Sequence, residues 1–402
     1  MIRCPFVLAA LLACAAHAEP KPATVREIVD VLASDSMEGR AFGRAGATRA
    51  RDWLVEWLRT HGVTPLGSKD GSFEQRFEGG GVNLLGVVAP PGTDPKRPKV
   101  LVGAHYDHLS DGACEPSPLA ASAVCNGAAD NAAGVAAALA AVEALAGRTR
   151  QPVAVALWDG EEQFMLGSQH FFANPTFPLA SLALYVNVDV VGLDLFKGLE
   201  RLHFVIGAET GGRALQDDVA AARVELDVVP LSYGMAHGRS DMTSLLLHDL
   251  AVPFVFLTDG DGGVYHTSAD EPQRLDFAKA IQVARLVEGI VLKVDARDGT
   301  YVFARPDKTP LVPKEHMLAY LPVFEDVARV HELLLRVLAV GKDNGLDTKT
   351  VADLEEQARK LDEIAKAGRQ EFGFFDVIAV GVAARKGLSA SRARAIPHPP
   401  GG

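Results

Sequence analysis

The 402-residue sequence predicts an α/β protein: a mixed, mostly parallel central sheet flanked by helices, with a C-terminal helical appendage. Two observations predict it. Short apolar runs alternate with segments of helical periodicity, the pattern of strands joined by crossover helices. Three of those runs stop at His, Asp or Glu, and a fourth leads into a Gly-rich loop that carries a His. In an open α/β sheet the carboxyl ends of strands line the ligand crevice. Composition agrees: 48% hydrophobic residues exceed what a disordered chain carries, and a net charge of −11 argues against a nucleic-acid partner. Four cysteines are too few for a disulfide scaffold, so a hydrophobic core carries the fold.

The elements follow in chain order. Residues 1–18 run from Arg3 through an apolar stretch to Ala16-His17-Ala18, the layout of a secretory signal cleaved before Glu19. Leu-Leu-Ala-Cys14 also resembles a lipoprotein box, which makes a lipid anchor at Cys14 the second reading. Either way the protein is expected to be exported, periplasmic or secreted. No other stretch reaches 18 consecutive apolar residues, so no transmembrane span is expected. Thr24 to Ala33 and Ala45 to His61 read as amphipathic helices, the second with a stripe of Trp53, Leu54, Trp57 and Leu58 and a stop at Gly62.

Val82 to Val88, Val100 to Ala104, Val153 to Trp158, Leu182 to Val188 and Val252 to Leu257 read as buried strands. Pro90-Pro91-Gly92 marks a surface turn. Helices are expected at Asn131 to Leu145, Gln163 to Ala173 and Arg213 to Ala222, and a closing one at Asp276 to Asp295. Beyond it, Met317 to Val340 and Thr348 to Arg369 carry apolar residues at helical spacing and predict a helical hairpin. The organisation is therefore a signal (1–18), a main domain (19–297), a helical appendage (298–388) and a tail (389–402).

The chemistry-bearing residues sit where the strands end: His105-Tyr106-Asp107-His108, Asp159-Gly160-Glu161-Glu162, Asp189, and Tyr265-His266-Thr267. Each alone has an ordinary reading. A His-x-Asp is commonly a satisfied histidine, a Glu-Glu pair a solvated face, and Asp130 or Asp189 a helix cap. Together, two histidines and at least three carboxylates at element boundaries suit a borderline-soft metal such as zinc. Cys114 and Cys125, an even pair in an exported chain, suggest a disulfide; without a second Cys or His pair, zinc binding by them is the weaker reading.

With these residues in view, the sequence resembles the M28 metallopeptidases, the di-zinc aminopeptidases. The matching pieces are LASDSMEGRAFG from Leu32, GAHYDH from Gly103, GAADNAAG from Gly127, DGEEQFMLGS from Asp159, NVDVVG from Asn187, SDM from Ser240 and YHTSAD from Tyr265. The resemblance implies the zinc aminopeptidase-like fold and two zinc ions per chain. It implies one ion held by His105, Asp130 and Asp189, and the other by Glu162, His266 and the bridging carboxylate of Asp130. Glu161 would be the general base and acid, with Asp107 orienting His105. The reaction implied is hydrolysis of N-terminal residues from peptides by a hydroxide bridging the two ions. Tyr233, Asp241 and Tyr265 are candidate substrate contacts. Phe164, Met165, Tyr233 and Tyr265 would line an apolar pocket, although aromatic and Met side chains near strands are commonly core.

Ionised Glu161 leaves such a site net negative, which suits a substrate ammonium; a carboxypeptidase needs a placed cation, for which Arg239 is the candidate. Glutaminyl cyclases share the fold and a similar DGEE motif, with one zinc and usually Asp-Ser where this chain has Asp130-Asn131. The stretch from Ser110 to Ala120 enlarges the loop between His108 and Asp130, where a disulfide would pin it over the site.

Overall fold

The computed structural model describes residues 19–110, 112–194, 200–236, 238–260 and 264–306, with scattered helical positions between 335 and 359. The expected signal at 1–18, including Cys14, and the tail at 389–402 lie outside the described residues. So does most of the expected appendage, within which Leu338 and Leu354 are buried helical positions.

The chain opens with α1 (Pro22–Leu32) and α2 (Ala45–Thr60). Two edge strands follow, β1 (Thr64–Pro65) and β2 (Glu74–Arg76), then β3 (Val82–Val88) and β4 (Val100–His105). Helix α3 (Ala133–Leu145) leads to β5 (Val153–Trp158), and α4 (Leu166–Ala173) to β6 (Leu184–Val188). After β7 (Leu202–Ile206) come α5 (Gly212–Ala221), β8 (Asp227–Leu231), α6 (Thr243–Leu247), β9 (Phe254–Thr258) and α7 (Phe277–Ala296).

The strands form one mixed sheet in the order β1-β3-β5-β4-β6-β9-β7-β8, with β2 beside β3. Its four central strands, β5, β4, β6 and β9, are parallel. Strands β3 and β7 join them antiparallel. From β4 the chain crosses to β5 on one side and then returns to β6 on the other. The reversal opens a crevice between the carboxyl ends of β4 and β6, the place where such sheets bind ligands.

The central strands are buried along their whole length, so they read as continuous apolar runs rather than alternating ones. One face packs on α1, α3 and α7. Helix α3 is built largely of Ala, which lets it lie close between the sheet and its helical neighbours. The stretch Ala128–Leu145 is long and apolar enough to cross a membrane, but 94% of it is buried inside the protein, as befits a core helix. The other face packs Trp158, Phe171, Phe172, Tyr185 and Phe254 against α4 and α6. Gly103 in β4 makes room there: a Cβ would stand 2.6 Å from Tyr185 Oη and 2.8 Å from Trp158 Nε1. Those groups form a buried relay, Trp158 donating to Tyr185 (2.9 Å) and Tyr185 to Asn187 (2.7 Å).

Several boundaries differ from expectation: β6 and β9 begin at Leu184 and Phe254 rather than Leu182 and Val252. Helices α3 and α4 start at Ala133 and Leu166 rather than Asn131 and Gln163, because Asp130-Asn131 and Glu161-Glu162 occupy tight turns ahead of them. The sequence pattern did not reveal β1, β2, β7, β8 or α6.

Asp259, just past β9, anchors the loop that leaves β6. Its Oδ1 contacts His203 Nδ1 (2.7 Å) and Lys279 Nζ (3.1 Å), and its Oδ2 accepts the N–H groups of Gly192 (2.7 Å) and Leu193 (3.0 Å). Burial alone would raise the pKa of this carboxyl, yet Lys279 and His203 hold it below the usual aspartate value. Its share of stability is therefore complete above that usual value and is lost as pH falls through the depressed one. Replacing Lys279 with Met strands a buried carboxylate and is expected to cost about 3–5 kcal/mol. Denaturant unfolding at neutral pH measures this; an unchanged midpoint would contradict the role given to the ion pair.

Candidate metal centre

Strand β4 delivers His105 to the crevice, where it is 1% exposed. Its Nε2 lies 3.0 Å from Asp189 Oδ1 and 3.3 Å from Asp130 Oδ1. Asp189 stands directly after β6, across the switch point from His105. Asp130 lies in the turn before α3, and its peptide bond to Asn131 is cis. The second oxygen of Asp130, Oδ2, is 3.1 Å from His266 Nε2. His266 Nε2 is also 3.2 Å from Glu162 Oε2. Two groups of donors therefore share one carboxylate: His105, Asp130 and Asp189 on one side, Asp130, Glu162 and His266 on the other. The structure brings all five expected ligand residues together.

Asp107 orients His105 differently from expectation. Its main-chain carbonyl lies 3.1 Å from His105 Nδ1, and its carboxylate stands further off at 3.6 Å. That carboxylate instead accepts the N–H groups of Glu161 (3.0 Å) and Glu162 (3.3 Å), which fixes the turn beyond β5. Adjacent residues then diverge: the Glu162 carboxylate meets the histidines, while that of Glu161 has no hydrogen-bond partner among the described residues.

Three supporting residues were given no role by the sequence reading. His108 Nδ1 lies 2.9 Å from Glu162 Oε1, so one oxygen of Glu162 is held by His108 and the other faces His266. Asp270 accepts the N–H groups of Ala129 (2.8 Å) and Asp130 (3.0 Å), fixing the turn that presents Asp130. Arg40 is wholly buried and donates to the carbonyls of Leu32, Tyr106 (2.8 Å), Asn126 (2.7 Å) and Gly127 (3.0 Å). It thereby staples the chain leaving β4 to the chain entering Asp130. At Gly127 φ is +56° and a Cβ would lie 2.4 Å from the His108 ring, so only glycine fits. The second histidine of His105-Tyr-Asp-His108 was the visible signal for His108; Arg40 and Asp270 lie within the motifs LASDSMEGRAFG and YHTSAD, but acting on main chain they showed no role of their own.

The expected disulfide joins Cys114 to Cys125. Its loop reaches the centre: Glu115 N–H donates to the His266 carbonyl (2.8 Å) and Ser268 N–H to the Glu115 carbonyl (2.9 Å). The bridge thus braces the segment that carries His266.

The electrostatics call for a cation. Burial opposes charge on His105, yet Asp189, Asp107 and Asp130 hold its pKa well above the usual value. Burial likewise opposes charge on His266, and Asp130 and Glu162 raise it to about 10. Burial, with the charges of Asp189, Asp241 and Glu162, pushes Glu161 well above the usual glutamate range, while His105 pulls it the other way. Burial lifts Asp241 to about 7 and Asp270 to about 6. Arg40, lowered by burial to about 10, remains cationic at neutral pH.

The donors fit zinc. Around a tetrahedral ion with bonds of about 2.0–2.1 Å, ligand atoms stand roughly 3.3 Å apart. The contacts here run from 3.0 to 3.3 Å. Asp130 Oδ2 and His266 Nε2 are buried without a hydrogen-bond partner. Imidazole and carboxylate donors in this mixture suit zinc, and protons and metal compete for the same lone pairs.

The candidate substrate contacts separate. Tyr265 is half-buried and stacks on His266, centroids 3.8 Å apart. Tyr233 and Asp241 are both fully buried, Tyr233 packing on Phe254 and Asp241 accepting from Ser168 Oγ (2.5 Å). Met165 is buried and Phe164 is exposed.

The family model of peptidase family M28 matches residues 83–291, just over half of the chain. Leucine aminopeptidase 1 of Trichophyton rubrum is 26% identical over 266 residues, 63% of this chain and 68% of that protein. Among solved structures, the LapA aminopeptidase of Legionella pneumophila superposes with a TM-score of 0.55 at 18% identity, over 69% of this chain and 71% of that one. A glutaminyl cyclase of Porphyromonas gingivalis superposes with a TM-score of 0.52 at 18% identity, over 68% of this chain and 97% of that one. At these identities the structural matches speak for the fold.

If His108 holds Glu162 in its ligating orientation, His108→Ala is expected to weaken zinc retention about 10–100-fold. Competition with a chelator reads this directly; zinc release at the unaltered rate would remove His108 from the centre.

Proposed function

The chain belongs to peptidase family M28, and on that premise we propose that it is a zinc-dependent aminopeptidase that removes residues from the free N-terminus of peptides. The observation that carries the reading is the charge of the crevice. Asp107, Asp130, Glu161, Glu162 and Asp189 converge on it. Arg40, the buried cation whose charge they feel, is turned to main-chain carbonyls and sealed from solvent. Two zinc ions would offset the charge of the ligands Asp130, Asp189 and Glu162, and ionised Glu161 would then leave the site net negative, which suits a substrate ammonium. Arg239, the candidate cation for a substrate carboxylate, is exposed, so the carboxypeptidase reading is weaker. The likeness to leucine aminopeptidase 1 supports the same activity.

In this proposal His105, Asp130 and Asp189 hold one zinc ion, and Asp130, Glu162 and His266 hold another. Zinc bound there supplies Lewis acidity and activates water. Glu161 takes a proton from water and passes it to the leaving amine; among the described residues its carboxylate has no hydrogen-bond partner, and its raised pKa suits both receipt and release. Asp107 keeps the two glutamates apart in role by holding their N–H groups. His108 and Asp270 keep Glu162 and Asp130 aimed. A glutaminyl cyclase would leave one of the two donor groups without use.

We further propose that residues 1–18 export the protein and that the appendage expected at 298–388 is helical beyond 306. Before that the chain is not helical and lies on the main domain, Tyr301 donating to Asp218 (2.7 Å). The Cys114–Cys125 bridge suits an oxidising compartment.

The proposal predicts that leucine amide is hydrolysed and N-acetyl-leucine amide is not. It also predicts that Glu161→Gln lowers kcat by about 10²–10⁴-fold with zinc retained. Steady-state kinetics with metal analysis checks both. Equal cleavage of the blocked substrate, or an active Glu161→Gln enzyme, would overturn the reading.

A further inference from the structure

The turn that carries Glu161 also carries an anomaly. Phe164 and Met165, immediately beyond it, both have positive φ, 64° and 60°. A residue with a Cβ is disfavoured in that conformation by its own carbonyl oxygen, and two in succession persist only where surrounding bonds fix them. Those bonds are present: Met165 N–H donates to Glu161 O (2.8 Å) and Gln169 Nε2 to Phe164 O (2.6 Å). Met165 turns inward and is buried. Phe164 instead is 85% exposed. The chain thus keeps a large apolar side chain in water, in a disfavoured backbone state, three residues from the proposed proton carrier.

The surroundings of the turn are apolar as well. Phe42 stacks on Phe77, centroids 5.9 Å apart, and Phe77 on His170, 5.4 Å apart. The Phe42 ring closes on Gly160, where a Cβ would lie 2.9 Å from Phe42 Cδ2 and 3.3 Å from Leu166 Cβ. Leu166 is itself 39% exposed. Beside the anionic crevice, then, lies a shelf of aromatic and aliphatic surface that begins at the residue before Glu161.

We propose that Phe164 is a specificity-determining contact for the side chain of the substrate's second residue, favouring apolar ones; this rests on the aminopeptidase reading above. Glu161 passes its proton to the amine that leaves, and that amine belongs to the second residue. The second residue therefore lies against the Glu161 turn, where Phe164 and its neighbours meet its side chain. Covering a solvated phenyl with another apolar group gains free energy in proportion to the area removed from water.

The test compares unmodified Leu-Phe and Leu-Gly dipeptides on the wild-type enzyme, Phe164→Gly and Phe164→Leu. Glycine adopts the positive φ without strain, so Phe164→Gly is expected to melt no lower than the wild type. The kcat/KM ratio of Leu-Phe to Leu-Gly is expected to fall about tenfold in Phe164→Gly and to be partly kept in Phe164→Leu. An unmoved ratio, or an equal loss on both dipeptides, overturns the inference while the aminopeptidase reading stands. A wild-type enzyme that cleaves neither dipeptide overturns both.

Discussion

Asp130 faces two histidines with its two oxygens, Oδ1 toward His105 at 3.3 Å and Oδ2 toward His266 at 3.1 Å. The rest of the centre is arranged around keeping it there. Asp270 ties down the N–H groups before it, Arg40 ties down the carbonyls of Asn126 and Gly127, and Gly127 gives the turn its left-handed bend. Without that support a buried carboxylate would withdraw toward water or take up a proton. The sheet contributes position: β4 and β6 run side by side and end at the switch point, so His105 and Asp189 face each other across it.

Gathering so many carboxylates opposes folding, and the protein answers in three ways. Some carry only part of their charge near physiological pH: burial raises Asp159 and Asp241 to about 7. Some spend their charge on main-chain N–H groups, as Asp107 and Asp270 do. The remainder surround imidazoles, and there the proposed zinc would relieve the repulsion that is left. The Cys114–Cys125 loop belongs to the same solution, since Glu115 fixes the backbone of His266, itself at positive φ.

What the sequence made legible follows from where each signal lies. Strands β3 to β6 and β9 are buried on both faces and show as plain apolar runs. Strand β7 is broken in pattern by His203, whose partner Asp259 is far along the chain, and β8 is only partly buried and contains Pro230. Strand β1 has two residues and α6 five, too short for any periodicity. His105 and Asp189 were readable because each meets an apolar run at its end; Asp130, Glu162 and His266 were assigned through the motifs that carry the resemblance. The roles of Arg40 and Asp270 were not readable, although both lie in quoted motifs, because apart from Leu32 the backbone they grip is 66 to 141 residues away, a relation no local pattern records. Phe164 read either as pocket lining or, by type, as core; its exposure is set by the turn geometry that Asp107 imposes from another strand's end.

The central claim is that one carboxylate, Asp130, completes two zinc sites. Zinc content per chain, measured on the purified protein and on Asp130→Ala and Asp189→Ala variants, tests it most directly. The account predicts two ions in the wild type, one retained in Asp189→Ala, and neither site tightly filled in Asp130→Ala. A wild-type protein that holds a single tight zinc, or an Asp130→Ala variant that keeps both, would contradict it.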